Sequence, residues 1–228
     1  MDSAGLEMVP ESTRRDALIE AILDFLISQD LLARRDIRAA LEHEIDAAGA
    51  QGVIDLKARL ADAAGWNYYP PDPLARSIHH LLADRFLSPM SAAAGAVHLK
   101  GLQDRPLVLM ANHLSYADAN VVEILLRQGG LAKSADRLTA IAGPKVFSNR
   151  ERRFSSLCFG TIKVPQSAGV SSEEAVLNAR EVARAARHAI AIAEQRLRAG
   201  DALLLFGEGT RSRGAAMQTM LAGVARYL

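Results

Sequence analysis

The chain has 228 residues, 50% apolar and 23% charged, a composition that excludes a disordered or collagen-like polymer. Lys plus Arg number 27 and Asp plus Glu 26, so the net charge is +1, without the basic excess of a dedicated nucleic-acid binder. The single cysteine, Cys158, excludes an internal disulfide and a cysteine-based zinc cluster.

Met1 to Arg15 lacks a basic segment followed by an apolar run, so no secretory signal is read there. No run approaches the roughly 18 uninterrupted apolar residues of a membrane span. The expected setting is cytoplasmic, with room for peripheral contact at the inner face of a membrane.

From about Ser12 to Leu87 the chain reads as helices. Leu18, Ile19, Ile22, Phe25 and Leu26 recur at helical spacing, and Leu31, Leu32, Ile37, Leu41 and Ile45 give a second such pattern. Gly49 to Gly52 breaks it, and Ile54, Leu56 and Leu60 begin a third. Trp66-Asn-Tyr-Tyr-Pro-Pro-Asp-Pro is a hard stop, because its prolines remove donors and fix φ. A further helix is expected from Pro73 to about Phe86. Residues 1–90 are thus expected to form an N-terminal helical domain without chemistry of its own.

After about Met90 short apolar runs alternate with helical ones. Leu107–Met110, Leu138–Ala142, Gly160–Val164 and Ala202–Phe206 read as buried strands, with Val97–Leu99 as an edge strand. Ala119–Arg127 and Ser172–Arg198 read as helices, the second ending at Gly200 as a C-terminal cap. This alternation predicts an α/β sheet, whose ligands gather beyond the carboxyl ends of its strands.

The first strand is followed by Ala111-Asn-His-Leu-Ser-Tyr-Ala-Asp118. Ser115 can cap the next helix, with Asp118 on its first turn. Asp118 can also curl back to the His113 imidazole. That would fix its tautomer and leave the other nitrogen to take a hydroxyl proton. Spacing alone favours the simpler arrangement, in which Asp118 serves only the helix terminus and His113 is a loop histidine.

The second strand is followed by a basic segment. Lys145, Arg150, Arg152, Arg153 and Lys163 stand against the single acid Glu151. Such a cluster suits a phosphate or carboxylate, or else a solvated helix face. The fourth is followed by Phe206-Gly-Glu-Gly-Thr-Arg-Ser-Arg213, where glycines admit a ligand to the backbone and Arg211 offers a fork to an oxyanion. The third glycine of a dinucleotide loop is replaced by Ser212, and neither a P-loop nor a G-x-S-x-G elbow occurs. The six histidines form no metal-ligand spacing, and the adjacent His79 and His80 are expected on different sides of a helix.

Together, Asn112-His113-x-x-x-x-Asp118 and the downstream Phe206-Gly-Glu-Gly-Thr-Arg-Ser212 resemble the two boxes of the glycerolipid acyltransferase family, N-H-x-x-x-x-D and F-P-E-G-T-R-S. Lys145 and Gly160-x-Ile162-x-Val164 resemble the family's block between them. The resemblance covers residues 91–228. It implies a mixed sheet flanked by helices, with His113 and Asp118 as a general-base dyad. By the same resemblance Asn112, Lys145, Glu208, Gly209, Thr210 and Arg211 would bind substrate. No metal or cofactor is implied beyond an acyl-CoA or acyl-carrier-protein donor. The soluble-looking helical start resembles the plastid-type glycerol-3-phosphate acyltransferases and favours that acceptor. Acylation of 1-acylglycerol-3-phosphate (lysophosphatidate) is the alternative within the chemistry. A non-catalytic acyl-chain or acyl-carrier binding module is the alternative outside it, and a thioesterase with the same dyad is a weaker third.

Three departures stand out. Gly207 replaces the family's proline, and Gln166 stands where many members have arginine, so a phosphate contact is expected to move toward Arg150–Arg153. The family also continues past its second box, whereas this chain stops at Leu228 within an expected helix from about Met217. The catalytic domain is therefore expected to lack its C-terminal part.

Overall fold

The computed structural model describes residues 11–26, 31–62, 64–165, 177–212, 214, 216 and 218–227, without the side chains of 11–14, 25, 26 and 31–34. Gln166, Met217, Arg213 and the start of the helix expected at Ser172 lie outside the described residues, as do the side chains of Phe25, Leu26, Leu31 and Leu32. Two compact units divide between Ala58 and Arg59.

The first unit is helical. Helix α1, Glu11–Leu26, buries Leu18, Ile19, Ile22 and Leu23. Helix α2, Leu31–Ala61, buries Ile37, Leu41, Ile45, Val53 and Leu56. It kinks at Gly49, whose φ of 67° lies in the left-handed region that glycine enters without a Cβ penalty. Arg15 grips Asp46 through two bonds of 2.7 and 2.9 Å, and Arg38 pairs with Glu20, so both ion pairs join α1 to α2.

The second unit carries a five-stranded sheet in the order β1-β4-β3-β5-β2. The strands are β1 Tyr68–Tyr69, β2 Leu107–Ala111, β3 Leu138–Ala142, β4 Gly160–Lys163 and β5 Ala202–Phe206. β1 runs antiparallel to β4, and the other pairs are parallel. Between them run helices α3 Pro73–Phe86, α4 Asp118–Gln128, α5 Ala132–Asp136, α6 Arg150–Ser156 and α7 Ala179–Arg198.

The sheet extends earlier in the chain than the sequence texture suggests. Tyr68 and Tyr69 pair with Ile162 and Thr161, and the Asp72 amide donates to the Leu157 carbonyl at 2.8 Å. So β1 and α3 belong with the sheet rather than with a helical block reaching residue 90. Asp72 caps α3 by accepting from the Leu74 and Ala75 amides, with Pro73 in the first-turn position that needs no donor. The edge strand expected at Val97–Leu99 is instead part of a 3₁₀ turn, Ala96–Leu102, entered through Gly95 at φ 77°. Ala222–Tyr227 is likewise 3₁₀ rather than a longer helix.

In β5, Ala202 to Leu205 are all buried, as expected of a central parallel strand covered on both faces. Leu203 and Leu205 meet Ala189 and Ala193 of α7 together with Ile162 of β4. Ala185, Ala189 and Ala193 recur every fourth residue, a small-residue stripe that lets α7 lie close to the strands. Asp201, just before β5, is buried and takes two bonds from Arg196 and one from the Thr139 hydroxyl, locking the end of α7 to β3 and β5. Among the described residues no helix is long and apolar enough to cross a membrane.

Candidate active site

Ala111 and Phe206 are register partners at the carboxyl ends of the parallel strands β2 and β5. The segments that follow them therefore leave the sheet side by side, where ligands of such sheets collect. The His113 ring stacks on the Phe206 ring, with centroids 4.2 Å apart and planes at 22°. The Ser212 amide donates to the His113 carbonyl at 2.6 Å, tying the two loops together.

Asp118 opens α4 and turns back toward the loop. Its Oδ2 lies 2.9 Å from His113 Nδ1 and accepts the backbone amides of Leu114 and Ser115 at 2.6 and 2.9 Å. The carboxylate is thus fixed by the turn that presents the histidine, and it favours the tautomer with hydrogen on Nδ1. His113 Nε2 has no hydrogen bond among the described residues. Ser115 is not the helix cap: Ala117 takes that position, and the Ser115 hydroxyl accepts the Ala117 amide.

His113 lines a cavity of about 550 Å³, within the ~300–1,000 Å³ usual for small-molecule sites. Lys145, Arg152, Arg211 and Arg226 line it as well, and no Asp or Glu among the described residues does. The apolar part of the wall comes from residues such as Ile141, Val146, Phe159, Ile190, Leu205 and Val224. An imidazole held by a carboxylate, several cations and an apolar wall thus share one cavity.

The other expected site residues fall into three groups. Gly209 and Thr210 line the cavity beside Arg211. Gly209 has φ 64°, and a Cβ there would collide with Leu221 Cδ1. Glu208 is buried behind the loop and does not line the cavity. The Ser212 hydroxyl donates to it at 2.6 Å and holds its carboxyl below the usual range. Asn112 is exposed and outside the lining. At Gly207, a Cβ would meet Met220 Cγ at 3.2 Å, and its carbonyl accepts the Leu221 amide.

The basic segment does not act as one cluster. Lys145 and Arg152 face the cavity, and Arg150 is exposed. Arg153 turns inward, donating to the Arg59 and Asp62 carbonyls and lying over Tyr69 and Phe147. Lys163 is buried over Trp66 and Phe147, and burial, then the Arg153 charge, pushes its pKa down. These two cations are drawn into an aromatic pocket that residue spacing does not reveal.

His79 and His80 do not diverge as expected. Both rings reach Glu123 on α4, His79 Nε2 at 3.2 Å from Oε2 and His80 Nε2 at 3.2 Å from Oε1. Neighbouring helical residues are only about 100° apart, so long side chains can converge on a group between them. The three ligand atoms lie within 4.8 Å of one another. Arg76 and Arg127 also donate to Oε1, however, so this carboxylate is already neutralised by protein cations.

Two participants went unassigned in the sequence, Phe206 beneath the histidine and Tyr116 beside it. Both stand within the motifs, and an aromatic next to a motif histidine or arginine was the available signal. No curated protein matches the chain. Residues 96–228 match the model of the acyltransferase family, and the chain belongs to that family.

Proposed function

We propose that the protein transfers a fatty acyl group from acyl-CoA or acyl-carrier protein to a hydroxyl of glycerol-3-phosphate, an early step of phospholipid assembly at the inner face of the membrane. The observation that carries this reading is His113, bonded to Asp118 through Nδ1 and lining a cavity that combines cations with an apolar wall. His113 Nε2 takes the hydroxyl proton as the oxygen attacks the thioester carbonyl. The carbon–sulfur bond then breaks, and the imidazolium returns its proton to the departing thiolate. Asp118 orients the ring and stabilises its transient charge. Lys145 and Arg211 hold the acceptor's phosphate, which brings the hydroxyl to the base. Gly209 and Thr210 shape that end of the cavity, with Glu208 bracing their loop from behind.

Thiol release from palmitoyl-CoA, with and without glycerol-3-phosphate, tests the proposal. Acceptor-dependent release that disappears in His113→Ala is the expected result. Release that needs no acceptor would make the protein a thioesterase. Release with lysophosphatidate alone would move it to the second acylation, and donor binding without turnover to any acceptor would make it a binding module.

A further inference from the structure

Arg152 enters the cavity from α6 and Arg211 from the loop after β5, and both settle on one aromatic ring. Their guanidinium carbons lie 4.2 and 4.0 Å from the Tyr116 centroid. A guanidinium held over an aromatic ring keeps N–H donors that the ring does not use. Arg152 spends one of them on the Lys145 carbonyl, through Nη1 at 3.3 Å, and the rest of its fork stays open. Among the described residues neither arginine has a carboxylate partner, and no acid lines the cavity. Two like charges gathered on one ring, with Lys145 nearby, are an arrangement that an anion completes.

Resting on the acyl-transfer reading, we propose that Arg152 is a second fork of the anion subsite, with Tyr116 the platform that aims both arginines at the acceptor's phosphate. The chemistry fits a phosphate monoester: it carries three terminal oxygens and a charge of about −1.5 to −2, enough to engage two forks and an ammonium. A phosphate of the CoA donor shares that chemistry. The acceptor is favoured because Tyr116 sits in the same Asp118-pinned turn as His113, so a small molecule held there has its hydroxyl beside the base.

Calorimetric titration of the full chain with glycerol-3-phosphate tests this, paired with KM values for glycerol-3-phosphate and palmitoyl-CoA. Arg152→Gln should weaken glycerol-3-phosphate binding by about tenfold or more and raise its KM correspondingly. Arg152→Lys, which keeps the charge but loses the flat fork, should recover only part of the loss. Tyr116→Leu should weaken the same ligand without removing a charge. The proposal is overturned if Arg152→Gln or Arg152→Lys binds glycerol-3-phosphate like the unaltered chain. It is overturned equally if the unaltered chain does not bind it, or if the loss falls on palmitoyl-CoA instead. Arg152-dependent binding without any thiol release would uphold the subsite and end the acyl-transfer reading.

Discussion

His113 with Asp118, and His79 and His80 with Glu123, are the same chemical pairing in two settings within one unit. Glu123 is fully buried, and its oxygens meet two imidazoles and two guanidinium groups. Arg76 and Arg127 both continue to Asp136, so the cations around Glu123 are balanced in turn. Asp118 is partly exposed, and beyond backbone amides its one side-chain partner among the described residues is His113. His113 lines a cavity in which, among the described residues, no acid accompanies the cations. A saturated carboxylate fastens helices together, whereas an unsaturated histidine beside uncompensated charge is poised for a ligand.

The largest expected contrast comes from cutting each pair at its acid. Asp118→Asn should keep a group able to accept the Leu114 and Ser115 amides yet remove the charge behind His113. Acyl transfer should fall by about 10²–10⁴ with little change in melting temperature. Near-normal turnover would detach this pair from the chemistry. Glu123→Ala should do the reverse, costing about 1–3 kcal/mol of stability by removing the buried acceptor that His79, His80, Arg76 and Arg127 share. Denaturant melts of the variant measure that cost.

The pH dependence of stability sharpens the same comparison. Burial alone would raise the Glu123 carboxyl, but hydrogen bonds from His79, His80 and Arg127 overcome it and hold the group well below its ordinary range. A carboxyl depressed on folding stabilises the native state above its unfolded value, near 4.5, and that contribution fades as pH falls toward the folded value. The acid limb of the stability curve should therefore be shallower in Glu123→Ala than in the unaltered chain. Parallel acid limbs would show that Glu123 is not the group titrating.

A smaller effect is expected at Gly209. Alanine there must adopt a positive φ, worth about 1–2 kcal/mol, and displace Leu221 from the loop. Stability should drop by roughly that amount, and turnover should fall less than in Asp118→Asn. A variant as stable as the parent would mean that the loop relaxes around the added methyl.

Much of this was legible in the sequence, for identifiable physical reasons. β2 and β5 are short unbroken apolar runs, β3 and β4 are runs interrupted by Thr139, Thr161 and Lys163, and all four appear close to where the sequence places them. β1 has two residues beside a proline run, too few to carry a period. Val97–Leu99 has strand-like residues, but Gly95 turns the chain into a 3₁₀ segment before a ladder can form. At the site, the contact of His113 with Asp118 was readable from the motif they share, since five-residue spacing alone suits a carboxylate at a helix terminus better. Arg152 on Tyr116, and Arg153 on Tyr69, unite residues from separate elements, and spacing along a chain contains no such distance.

The bond from the Ser212 amide to the His113 carbonyl has a mechanical consequence. It joins the backbone that carries His113 to the backbone that carries Arg211, so the separation of the two main chains is fixed there, while the Tyr116 ring fixes where the Arg211 guanidinium lies. On the proposed reading the molecule behaves as a calliper with one fixed opening. An acceptor whose hydroxyl and phosphate are separated by that opening delivers its oxygen to the imidazole, while a longer or shorter one is gripped with its oxygen out of reach. Since a misplacement of about 1 Å can cost about 10²-fold in rate, a main-chain hydrogen bond remote from any reacting atom would thereby help to choose the substrate.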